Sequence, residues 1–323
     1  MQKKNQSITK LSERIIPEEQ NTFPNDIVLE TTGFCNLRCT MCSNRKMTRK
    51  RGNMRWPLYI KIVEEIAEKA KDVVRLWLCF YGEPLMNRDI VDRVTYAKQK
   101  GINNVVINSN MNLMKPELAV DLIKAGLNTV FVGLDAVTAD IYKQIRCGGD
   151  YDRVVRNVLD YKNALNEYGT SEQQVVVQFI DMPINHHQCE QIVEFWNKHD
   201  IDVKVRPYVT WQDSSIIEDS YNVGENEERV PCHWLMNIFP ITSDGYAVWC
   251  GCDYDGQGIC GDLNKQTIEE IWNTEKKQHR IMQIGGQWDE LPEFCLKCND
   301  WHGAYAKYEK SMQYERGALC LEN

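Results

Sequence analysis

Between residues 27 and 210, six short apolar runs alternate with amphipathic helical stretches, and this alternation constrains the fold more than any other feature. The runs are Ile27–Thr31, Val74–Tyr81, Asn104–Asn108, Thr129–Asp135, Val175–Ile180 and Val203–Val209. Between them, Leu58–Lys71 carries Ile62, Val63, Ile66, Ala67 and Ala70 on one face of a 3.6-residue period. Pro116–Ala125 begins with a first-turn proline and stops at Gly126. Strands separated by helices build a parallel sheet with crossover connections. Six such units, rather than eight, predict an α/β fold of the open, partial (β/α)6 TIM-like barrel kind.

The texture changes on either side. Residues 1–26 read as an N-terminal tail, 27–210 as the core, and 211–231, polar and acidic, as a linker. Residues 232–300 form a second, small unit, and 301–323 a polar C-terminal segment. Within the second unit, Ile238–Thr242 and Tyr246–Trp249 flank Ser243-Asp244-Gly245, a β-hairpin signal. A helix is expected over Thr267–Ile284, followed by Cys295-Leu-Lys-Cys298.

No apolar run approaches the roughly 20 residues that cross a bilayer, and the N-terminus lacks a secretory apolar core, so a cytoplasmic protein without membrane partners is expected. A net charge of -8 argues against general nucleic-acid binding. One basic run, Arg45, Lys46, Arg49, Lys50, Arg51 and Arg55, reads either as a solvated loop or as a docking patch for an acidic electron donor or an anionic substrate. Thirteen cysteines in such a chain point to metal ligation rather than disulfides.

Cys35, Cys39 and Cys42, spaced C-x3-C-x2-C, follow the first strand. Three thiolates on one tight loop suit three irons of a cubane and leave the fourth open. A closed zinc site needs four ligands, and residues 31–44 contain no His, Asp or Glu to complete one. This spacing resembles the radical S-adenosylmethionine (SAM) superfamily, in which the open iron binds the amino and carboxylate groups of SAM and a 5'-deoxyadenosyl radical follows. The resemblance implies a SAM-binding [4Fe-4S] cluster on these cysteines and extends along the chain. Tyr81-Gly82-Glu83-Pro84 corresponds to the family's Gly-Gly-Glu-Pro at the SAM ammonium. Ser109 and Asn110 fall at the ribose motif, and Gly133-Leu134-Asp135 matches Ser-Leu-Asp with the serine missing. Arg146 occupies the place of a carboxylate-binding arginine, Gln178 that of a polar contact, and Met41 the place beside the adenine.

A second constellation comprises Cys232, Cys250 at the far end of the hairpin, and Cys295 and Cys298. By spacing alone these four suit an auxiliary [4Fe-4S] cluster or a zinc ion. The order Cys, Gly-x4-Cys, Gly-Asp-Leu…Ile-Trp-Asn and C-x2-C resembles the SPASM/Twitch extension of radical SAM enzymes, which implies the cluster. Ala304 stands where a longer SPASM domain has a further cysteine, and Cys320 alone remains downstream, as in the single-cluster Twitch form.

Of the remaining thiols, Cys79 and Cys189 read as small core residues. Cys147, Cys252 and Cys260 are either inert or hydrogen-atom donors to a substrate radical. On the sixth run, Lys204, Arg206 and Tyr208 alternate with Val203 and Val205, so they line the lumen and meet substrate, or else lie at an exposed edge. The similarity to small Twitch enzymes of the 2-deoxy-scyllo-inosamine dehydrogenase kind implies oxidation of a carbinol in a sugar, polyol or aminocyclitol, with a flavodoxin- or ferredoxin-type electron donor. Epimerisation, modification of a ribosomally made peptide, and a non-catalytic zinc protein are the alternatives.

Overall fold

The structure, a computed structural model, describes residues 22–210, 229–298, 300 and 301. Most of the expected linker, Ala304, Cys320 and nearly all of the tail and C-terminal segment lie outside the described residues.

The core alternates as the sequence implies. β1 (Asp26–Leu29) is followed by α1 (Trp56–Lys69), β2 (Arg75–Trp77), α2 (Ile90–Gln99), β3 (Asn104–Ser109) and α3 (Pro116–Lys124). Then come β4 (Thr129–Gly133), α4 (Ala139–Ile145), α5 (Tyr151–Tyr168), β5 (Gln174–Asp181), α6 (Cys189–Asn197) and β6 (Asp202–Pro207). β1 to β6 pair in parallel and in sequence order, giving an open sheet. Its helix-facing side is the apolar core: α1 buries Leu58, Tyr59, Ile62, Val63 and Ile66 against Ile27, Leu76 and their neighbours. The second strand is shorter than expected, because the chain leaves the ladder at Leu78 to enter the Tyr81-Gly82-Glu83 loop.

Past the linker, α7 (His233–Asn237) leads into β7 (Ile238–Ile241), which pairs in parallel with β1 rather than starting a separate sheet. β8 (Tyr246–Val248) and β9 (Ile259–Asp262) continue antiparallel, so one nine-stranded sheet runs β6-β5-β4-β3-β2-β1-β7-β8-β9. The β7–β8 turn depends on Gly245 at φ +97°, a left-handed conformation that glycine adopts without a Cβ clash.

The helix expected over Thr267–Ile284 is two: α8 (Ile268–Asn273) and α9 (Glu275–Ile284). Thr274 breaks it, its hydroxyl donating to the Glu270 carbonyl (2.7 Å) while its own backbone leaves the helical region. α8 starts at a capping box between Thr267 and Glu270, and the Glu65 carboxylate of α1 accepts from its first N–H groups, Ile268 and Glu269, both at 2.9 Å. α10 (Glu293–Leu296) carries Cys295. Among the described residues no helix is long and apolar enough to cross a membrane.

Candidate active site

Strand C-termini converge on a cavity of about 400 Å³. Its upper wall is the cysteine loop, with Cys35, Cys39, Met41 and Cys42 all on the lining. The loop is clamped rather than free: Arg38 N donates to Cys147 O and Thr40 N to Ile145 O, both at 2.9 Å. Asn44 ties its end to the Tyr81 carbonyl at 2.9 Å, and Asn110 Nδ2 donates to Asn36 Oδ1 at 2.9 Å. Burial raises Cys35 to about 11 and Cys39 to about 12, while Arg146 opposes the rise in both. Thiols so protonated become ligands when a metal displaces their protons.

Glu83 is buried, and each oxygen of its carboxylate is oriented. Oε1 accepts from Ser109 Oγ (2.7 Å) and Leu85 N (3.1 Å), and Oε2 from Asn110 N (2.8 Å). Burial raises its pKa, against those three donors. Gly82 before it admits no side chain, since a Cβ would stand 1.9 Å from the Thr32 carbonyl oxygen. Pro84 lies off the lining; it starts the 3-10 turn Pro84–Met86 that redirects the chain.

The missing serine at position 133 has a local reason. A Cβ on Gly133 would lie 2.2 Å from Arg146 Nη2, so the guanidinium fills the space a side chain would take. Arg146 is held by Asp135, whose Oδ2 accepts from Nε at 2.7 Å. Asp135 itself is fully buried with φ 59°, and accepts from Ile180 N at 2.7 Å. It does not reach the lining; it positions Arg146, which does and whose Nη1 lies 4.0 Å from Cys39 Sγ.

Below these groups the wall is formed by Asn108, Gln178, Lys204 and Arg206, with Asn108 Nδ2 donating to Gln178 Oε1 at 3.0 Å. The floor is aromatic, Trp77 stacked on Phe131, with Asp26 accepting from both Trp77 Nε1 (2.8 Å) and Arg75 Nε (2.6 Å). Tyr208 departs from the expected alternation: it turns away from the lining and packs with Leu37, Cys39, Met41 and Met182, leaving Val209 on the wall.

Cys232, Cys250, Cys295 and Cys298 come together in space: Cys250 and Cys232 act electrostatically on both Cys295 and Cys298. Four thiols brought together in this way suit an auxiliary [4Fe-4S] cluster or a zinc ion by donor set alone. Cys250 adjoins the cavity through Gly251, whose carbonyl accepts from the Tyr81 hydroxyl at 3.0 Å.

The leftover thiols separate. Cys252 is buried beside the auxiliary quartet, donating to Asp300 Oδ2 at 3.6 Å; Cys260 is a core residue donating to Ala247 O; Cys147 lies off the lining beside Gln144. Of these leftover thiols Cys79, buried as expected, is the one on the cavity lining; its Sγ accepts from Asn108 N at 3.2 Å. Cys189 is half-buried, packed against the edge of the core beside Asp181 and His186. Two residues of the basic run turn inward, Arg49 pairing with Glu30 at 2.7 Å and Arg51 donating to Asn44 O, while Arg55 stays exposed and donates to Asn264 Oδ1.

A family model described as the radical SAM superfamily matches residues 29–195, more than half of the chain. The chain belongs to the radical SAM superfamily. A second model, the SPASM iron-sulfur cluster-binding domain, matches residues 232–299. This radical SAM enzyme thus uses a SAM-binding [4Fe-4S] cluster, an auxiliary cluster and SAM. Among curated relatives, the probable GTP 3',8-cyclase of Methanocaldococcus jannaschii is 29% identical over 167 residues, 52% of this chain and 53% of the relative. The GTP 3',8-cyclase of Petrotoga mobilis is 28% identical over 214 residues, 65% of this chain and 64% of the relative. The chain thus spans roughly half to just under two thirds of the length of these relatives. Among solved structures, BtrN in complex with AdoMet and 2-DOIA superposes with a TM-score of 0.59 at 18% identity, covering 85% of this chain and 92% of BtrN. Streptococcus suis SuiB bound to precursor peptide SuiA gives 0.67 at 15% identity, covering 97% and 78%. Both show the shared fold.

Proposed function

We propose that this radical SAM enzyme oxidises a carbinol of a small polyol, sugar or aminocyclitol, with the auxiliary site taking the electron. The observation that carries this reading is a small cavity joined to the auxiliary cysteines through the Tyr81–Gly251 hydrogen bond. The coverage of BtrN, solved with AdoMet and 2-DOIA, supports it. When bound, SAM and its cluster supply a hydrogen-abstracting 5'-deoxyadenosyl radical, and the auxiliary cluster supplies an electron acceptor.

The chain's own residues orient and enclose. Cys35, Cys39 and Cys42 hold one cluster, and Cys232, Cys250, Cys295 and Cys298 the other. Glu83, fixed by Ser109 and Asn110, takes the SAM ammonium; Arg146, fixed by Asp135, takes its carboxylate; Met41 borders the adenine. Trp77 and Phe131 close the floor and exclude water, while Gln178, Lys204 and Arg206 face the substrate. In balance, the alcohol loses one hydrogen atom, one proton and one electron to become a ketone. Arg45, Lys46 and Lys50, exposed beside the loop, suit an acidic flavodoxin- or ferredoxin-type donor.

Anaerobic incubation of reduced enzyme and SAM with sugars, aminocyclitols, peptides and GTP tests the reading. The expected result is 5'-deoxyadenosine release matched by ketone, without solvent deuterium in the product. GTP- or peptide-dependent release without ketone would overturn it.

A second reading, epimerisation, has its own observation. Cys79 stands on the cavity wall, and burial raises it to about 12, keeping it a thiol able to return a hydrogen atom. Solvent deuterium at the product carbon, lost in Cys79→Ala, would favour that reading.

A further inference from the structure

Of the three arginines on the cavity wall, one is left without a carboxylate partner among the described residues. Asp26 is taken by Arg75 and Trp77, and Asp135 by Arg146. Glu83 is held by Ser109, Asn110 and Leu85. Arg206 has no carboxylate within hydrogen-bonding distance among the described residues, and its buried Nε has no hydrogen-bond partner. Its neighbour across β5 is Ile180, apolar, and Lys204 on the same strand face adds positive charge. Burial lowers its pKa, and Arg146 pushes the same way against Asp135.

A partly buried guanidinium without an anion is costly unless a ligand supplies one. SAM brings one carboxylate, already matched to Arg146 in the reading above, and a net positive charge through its ammonium and sulfonium. The [4Fe-4S] cluster with its three thiolates carries a compensating negative charge, so a filled SAM site still leaves Arg206 without an anion of its own. A guanidinium fork offers parallel N–H donors to a carboxylate or a phosphate, and repels an ammonium.

We infer that the substrate carries an anionic group, a carboxylate or a phosphate, received by Arg206 at the lower wall of the cavity. The inference rests on the proposal that this cavity holds the alcohol to be oxidised. It narrows the polyol class to acidic or phosphorylated members and disfavours amino-substituted ones.

The test is binding, measured calorimetrically on the unreduced, SAM-loaded holoenzyme, so that it does not depend on turnover. The probes are D-gluconate for the carboxylate, D-glucose 6-phosphate and inorganic phosphate for the phosphate, D-glucose as the neutral arm and D-glucosamine as the cationic arm. At least one anionic probe is expected to bind tenfold or more tightly than glucose, with glucosamine weakest. Arg206→Gln is expected to abolish that preference, and Arg206→Lys to restore part of it. SAM affinity in both variants should stay within about twofold of the parent. Anions no better than glucose, or a preference that survives Arg206→Gln, would overturn the inference. So would a parallel loss of SAM affinity, which would assign the guanidinium to SAM instead. Anion preference without any ketone product would leave this inference standing and remove the dehydrogenase reading.

Discussion

At the scale of single residues, the site is governed by space as much as by charge. Gly133 and Arg146 are one device: the absent side chain makes room for the guanidinium. Gly133→Ser is expected to push Arg146 off Asp135, at a cost of roughly 1–3 kcal/mol because a buried pair is broken, and to weaken SAM binding accordingly. Equilibrium binding of SAM checks this; unchanged affinity would separate Arg146 from SAM. Glu83 carries the pH dependence. Burial raises its folded-state pKa, so protonation occurs above the ordinary carboxylate range. Its contribution to folding stability falls as pH rises through that pKa, whereas ammonium binding, which needs the carboxylate, weakens as pH falls through it. SAM affinity should decline with acidification, and Glu83→Gln should be weak and flat across the same range. The Gly133–Arg146 coupling was not legible in the chain, because a missing serine looks like lost function until the partner 13 residues away is seen filling its space.

At the scale of elements, the alternation of strands and helices and the order of the motifs were legible, since both follow from periodicity and spacing. What an apolar period does not give is the buried face of α9. Its apolar residues Ile281 and Ile284 are exposed, while Lys276, His279, Arg280 and Gln283 are buried. The inversion has a physical cause: each buried cation finds carbonyls or a ring. Lys276 Nζ donates to Trp249 O at 2.6 Å, and Arg280 Nη2 to Trp272 O at 3.1 Å while stacking on that ring. Gln283 accepts from Cys232 N at 2.6 Å. A buried cation beside Cys250 and Cys260 favours the reduced, more negative auxiliary cluster. Lys276→Met should lower that cluster's potential by on the order of tens of millivolts in a redox titration followed by electron paramagnetic resonance, and an unchanged potential would deny Lys276 this role. Thr267→Ala, which removes the α8 capping box, should cost about 1 kcal/mol in thermal or denaturant unfolding.

At the scale of the whole molecule, the second cysteine set is not hung on the core as an appendage. β7 pairs with β1, Glu65 of α1 caps α8, and Asp255 accepts from Thr48 N (2.6 Å) and Arg49 N (2.9 Å) beside the cysteine loop. Tyr81 bridges the two sites directly. These long-range contacts have no signature in a linear pattern, because residues some 200 positions apart share no period. Asp255→Ala should lower stability by roughly 1–2 kcal/mol through its lost charge-assisted hydrogen bonds.

The central claim is that two separate cysteine sets each hold a cubane, one to make the radical and one to take the electron. Iron and acid-labile sulfide, quantified after anaerobic purification, test it most directly. About eight of each per chain are expected, two cubanes of four. A variant with Cys232, Cys250, Cys295 and Cys298 replaced by alanine should retain about four and still bind SAM. Zinc in place of iron at the second set, or about four irons in the parent chain, would contradict the account.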